Sequence, residues 1–75
     1  MNKERRKRLG EGINQTEGLR SYIESILLDE QLAFDNMPEG LQSSMRGIES
    51  EEAIEHMEDA ISSLDDVIAA LQEIV

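Results

Sequence analysis

From residue 54 to residue 75 the apolar side chains recur in a strict alternation of three and four: Ile54, Met57, Ile61, Leu64, Ile68, Leu71 and Val75. This is the core seam of a heptad repeat, sustained for three heptads. Ala53, Ala60, Val67 and Ile74 each stand one residue before a seam residue and widen the apolar stripe. A stripe of that width suits a helix in a bundle better than a helix in a two-stranded coiled coil. Glu55, Asp59, Ser62, Asp66, Ala69 and Glu73 fall on the opposite, solvated face. Ser50 fits the N-cap, followed by Glu51 and Glu52 where the helix dipole favours acids. A second helix is therefore predicted over 43–75, strongest over 50–74, with Gly47 weakening its earliest part.

The first half is also patterned as a helix, with less purity. Leu9, Thr16 and Ile23 share one heptad position, and Leu19, Ile26 and Ala33 share another. Ile13, Leu27 and Phe34 share a third, so the stripe is again broad. Arg20 and Glu30 fall on it as well, either paired or marking where it reaches solvent. The expectation is helix one over 10–34, preceded by a basic, frayed end over 1–9. Gly10, Gly12 and Gly18 each cost up to ~1 kcal/mol relative to Ala in a helix interior. They predict a loose first half, or else close approach of a neighbouring helix.

Between the two patterns, residues 35–42 form a connector containing Pro38. Proline cannot continue a helix and holds Met37 out of the α region, while Asp35, Asn36 and Gly40 favour turns. Two helices joined this way pack antiparallel. Leu41, Met45 and Ile48 are expected to cover the connected end. The expected fold class is all-α: an antiparallel helical hairpin. Each stripe is wider than one partner helix can cover, so two hairpins are expected to form a homodimeric four-helix bundle. The candidate dimer core is Ile54, Met57, Ile61, Leu64, Ile68 and Leu71. The alternative is that the uncovered stripe docks a different protein.

Composition sharpens this picture. Seventy-five residues make one domain at most, and a domain that small gains from outside support. No cysteine is present, which rules out disulfides and thiolate metal sites. Tyr22 and Phe34 are the only aromatics, so the core must be aliphatic. The net charge of −10 is unevenly placed: +4 over residues 1–9, −4 over 10–34 and −10 over 35–75. The basic start is expected to lie beside the acidic end of helix two. No apolar run approaches the length of a transmembrane helix, and none follows the basic start as in a secretory signal. The chain is accordingly expected in the cytoplasm.

Reactive chemistry finds little to work with. His56 is the single histidine, and although Glu52 precedes it by four residues, both helical metal motifs require partners this chain lacks. The glycines match no phosphate-binding pattern, and no calcium-loop spacing occurs. The expectation is a non-enzymatic chain with no cofactor and no metal. Lys3-Glu4-Arg5-Arg6-Lys7-Arg8 has no interleaved aromatic to stack bases, so direct nucleic-acid binding is not expected. Candidate partner-binding residues are Phe34, Met37, Leu41 and Met45 as apolar anchors. Glu55, Glu58 and Asp59 are the candidate charged contacts.

The stretch from Ala33 to Gln42, then Arg46-Gly47, Glu52-Ala53-Ile54 and Asp59-Ala60-Ile61, resembles short acidic helical proteins. Phages, prophages and integrative elements of Gram-positive bacteria encode them, and the basic start Asn2 to Lys7 resembles theirs too. The resemblance carries no site residue with it. It implies an accessory role in the host bacterial cytoplasm, most concretely an inhibitor that binds a host defence protein. The alternatives are a self-assembling scaffold component and an acidic mimic of nucleic acid.

Overall fold

The Asn2 side chain sets the first boundary. Its Oδ1 accepts a hydrogen bond from the Arg5 backbone N–H at 2.9 Å, capping a helix that starts at Lys3. Glu4 sits in the first turn, where a negative charge complements the helix dipole. In the computed structural model, which describes residues 1–75, this helix, α1, runs unbroken through Lys3–Asp35. It starts seven residues earlier than the pattern of apolar residues predicts, because the cap and the run of lysines and arginines favour helix without burying anything.

Neither expectation for the three glycines describes them. A Cβ placed on Gly10, Gly12 or Gly18 would meet nothing within 4 Å, so no neighbour in the chain approaches closely. The helix continues through all three without fraying. The Thr16 hydroxyl donates to the Gly12 carbonyl at 2.8 Å within this stretch.

The connector follows its turn chemistry. The Asn36 and Met37 N–H groups close the end of α1 on the carbonyls of Leu32 and Phe34, each at 3.0 Å. Pro38 then leads into a single helical turn, α2 (Glu39–Gln42). The Gln42 side chain reaches back to donate to the Phe34 carbonyl at 3.0 Å, satisfying one of the last acceptors of α1. Helix α3 spans Met45–Gln72, with Ser44 at the N-cap position. The cap expected at Ser50 is therefore a correction. Ser50 lies inside α3 at 4 % exposure, and its hydroxyl donates to Glu30 Oε1 of α1 at 3.2 Å.

Gly47 is what lets α3 start that early. A Cβ on it would stand 2.0 Å from the Gln42 carbonyl oxygen and 2.5 Å from that of Leu41. Only glycine allows the first turn of α3 to lie directly on the backbone of α2. Leu41, Met45 and Ile48, expected to cover this end, are instead exposed. The corner is closed by backbone contact at Gly47 and by the Gln42 amide, which leaves the three apolar side chains nothing to cover.

Helices α1 and α3 pack on one another along their length. Arg20 bonds to Asp65 and Glu30 accepts from Ser50, so residue numbers rise along one helix as they fall along the other. The molecule measures 58 × 15 × 12 Å. Its radius of gyration is 17.1 Å, whereas a compact chain of this length has one of about 11 Å. The buried apolar side chains are Ile13 and Leu27 of α1 and Ile61 and Ile68 of α3, and none of them is wholly shielded from solvent. No strand is present, and no helix is long and apolar enough to cross a membrane.

Candidate protein-binding surfaces

The seam between the helices runs along Leu9, Ile13, Thr16, Arg20, Ile23, Leu27, Glu30 and Phe34 on α1, all buried or half-buried. On α3 it runs along Ser50, Ile54, Met57, Ile61, Leu64, Ile68 and Leu71. The residues expected to form a dimer core thus pack first against α1 of the same chain. Three polar residues belong to the α1 side of this seam. Thr16 satisfies itself on its own helix, Glu30 takes the Ser50 hydroxyl, and Arg20 is held between two carboxylates. Arg20 pairs with Glu24 one turn along and with Asp65 across the seam. Hydrogen bonding to Asp65 raises the pKa of the Arg20 guanidinium, partial desolvation opposes the rise, and attraction to Asp65 and Glu24 adds to it. Arg20 therefore stays charged under all ordinary conditions.

The two sides flanking this seam differ in chemistry. On one side an open groove is lined by Gln31, Phe34 and Asp35 from the end of α1, and by Glu51, Ile54, Glu55 and Glu58 from α3. Its floor is apolar and its rim carries four carboxylates. Farther along the same side lie Glu24 and Asp65, bridged by Arg20. Glu17 sits one heptad before Glu24.

The opposite side carries an uncharged strip next to the seam. Each of its positions lies one residue before a seam residue: Gly12, Leu19, Ile26 and Ala33 on α1, and Ala53, Ala60, Val67 and Ile74 on α3. In antiparallel helices such positions flank the seam on one common side. The Arg20–Asp65 and Ser50–Glu30 bonds set the direction of the pairing, so Leu19 lies toward the Val67 end of the strip and Ala33 toward the Ala53 end. The large members are solvated: Leu19 is 50 % exposed, Ile26 43 %, Val67 44 % and Ile74 42 %. Tyr22, at 67 % exposure, borders this strip with Gln15 and Asp29 on α1, and Glu49, His56, Ser63 and Ala70 border it on α3, so Asp29 and Glu49 are its marginal charges.

The sequence-predicted partner residues are divided by this geometry. Phe34, Glu55 and Glu58 meet in the acidic groove. Asp59 does not line it and faces solvent on the back of α3. Met37 is half-buried at the corner, and Leu41 and Met45 are exposed there, apart from the groove. Gln31, Asp35, Glu51 and Ile54 complete the groove and were not among the predicted contacts. Glu51 stands one residue after the seam, the same heptad position as the predicted Glu58, and that spacing is the signal that would have found it.

The basic residues of the N-terminal end make no ion pair with α3. Helix α1 (33 residues) is longer than α3 (28 residues) and its buried or half-buried seam begins at Leu9, so the exposed Lys3–Arg8 extend past the packed length of the pair. His56 gathers no metal-ligating group, and no cluster of three or more such residues is present. Comparison with known proteins found no matching family model, no matching curated protein and no matching solved structure.

Proposed function

We propose that the chain is an antiparallel helical hairpin acting as a non-enzymatic protein–protein interaction module of a phage or mobile element. In its most concrete form it is an inhibitor of a host defence protein in the bacterial cytoplasm. The observation that carries the proposal is the contrast between the two sides of the helix pair. One presents an acidic groove with an apolar floor at Phe34 and Ile54, the other a strip of uncharged side chains. The groove suits a basic protein surface that projects an apolar side chain between its lysines or arginines. Many surfaces that grip nucleic acid have that chemistry, and carboxylates set there would occupy the places of phosphates. An inhibitor of this kind acts by occlusion and needs no reacting group of its own.

A second reading is favoured by the uncharged strip: a scaffold component whose sole partner is itself. One experiment separates the two. The tagged chain is used to capture proteins from nuclease-treated lysate of a Gram-positive host, beside a Glu55→Lys/Glu58→Lys variant and an Asp59→Lys variant. The expected outcome is one specific protein, kept by Asp59→Lys and lost by the double variant. Recovery of the chain alone would overturn the inhibitor reading and leave the scaffold reading ahead.

A further inference from the structure

We propose that the uncharged strip is a dimer interface, and that two copies pair through it with their corners at opposite ends of the bundle. This names a partner for the interaction module proposed above and rests on that hairpin reading, though not on the acidic groove.

Three observations carry it. The first is area. A compact monomer of 8.5 kDa exposes about 4,650 Å² by the relation between area and mass, whereas this chain exposes 5597 Å². The excess of about 950 Å² matches the roughly 800 Å² that each partner buries in a stable interface.

The second is charge. A chain of net charge −10 repels its own copy over most of its surface, and along the strip the carboxylates are confined to Asp29 and Glu49 at the margin, so two copies can meet there with little opposed charge. Orientation follows from the ends. Residues 1–9 carry +4 and overhang α3, while residues 35–59 carry eight carboxylates against Arg46 alone. With corners together, the acidic ends would repel each other, and so would the basic ends. With corners apart, the overhanging Lys3–Arg8 of each copy reaches the acidic corner of the other.

The third is shape. In the corners-apart dimer the two α3 helices run antiparallel about a two-fold axis near Ser63, midway along the strip. Ala53 then faces the partner's Ile74, and Ala60 faces the partner's Val67, so small residues take up large ones along the contact. Both acidic grooves remain on the outside of the resulting four-helix bundle.

The chain has no cysteine, so single thiols can report the geometry cleanly. Ser63→Cys places one beside the predicted axis, and Gly40→Cys places one at the corner, where an added Cβ meets nothing within 4 Å. Light scattering gives the mass, and a short bis-maleimide gives the orientation. Twice 8.5 kDa with covalent dimer from Ser63→Cys and none from Gly40→Cys is the expected result. A monomeric mass, cross-linking at position 40 alone, or a dimer cross-linked at neither position would each overturn the proposal. A dimer of the expected geometry with an empty capture experiment would remove the partner-protein reading and leave this one. A monomer that still captures a protein would do the reverse.

Discussion

Gly47 carries more of the corner than any apolar residue there. Its hydrogen faces the Gln42 and Leu41 carbonyls at distances no Cβ can occupy, and those atoms are backbone, unable to swing away. Gly47→Ala must therefore push α2 off α3 or delay the start of α3. Overpacking of this kind costs about 1–3 kcal/mol, so urea unfolding of the variant is expected to show a loss in that range. An unchanged midpoint would mean that the corner is looser than its geometry. Gly47 counted against an early start of α3 in the sequence because helix propensity considers a residue alone, and here the deciding neighbour lies five residues back in another turn. Ser50 was misplaced for a related reason. A serine followed by two glutamates fits a cap, and only the position of Glu30 shows that it continues the seam instead. The groove was legible at Phe34, Glu55 and Glu58, which stand beside an apolar stripe. Asp59 looked equivalent in the sequence, and the rotation of α3 about the seam turns it away.

Among the elements, α3 was plain in the chain because its aliphatic residues repeat without interruption and its seam needs no polar member beyond Ser50. Helix α1 was harder, since Thr16, Arg20 and Glu30 occupy seam positions and hide the period. Each is satisfied only by a partner that the fold supplies or by its own helix, which no pattern of apolarity reveals. The glycines of α1 also gave the wrong impression. They weaken the helix locally, but capping at Asn2 and packing along α3 hold it continuous. That account makes Gly18 a place to gain stability, because it is exposed and has open space around its Cα. Gly18→Ala is expected to stabilise the protein by up to ~1 kcal/mol, visible as a higher urea midpoint with an unchanged slope. A loss of stability there would show that the backbone at Gly18 does something the straight helix does not require.

At the scale of the whole molecule, a long α1 and a long α3 share a thin seam in which only four apolar side chains are buried. The seam orients the chain's charge as well as its apolar surface. Carboxylates collect on one flank, uncharged residues on the other, and cations at one tip. The length of 58 Å against a cross-section of 15 × 12 Å also governs how the molecule moves through water. A single copy is a rod, with high drag for its mass. Pairing side by side doubles the mass while barely lengthening the particle, so the frictional ratio must fall as the dimer forms. Sedimentation velocity over a dilution series is expected to show that fall with rising concentration. End-to-end association of the same rods would raise the ratio instead.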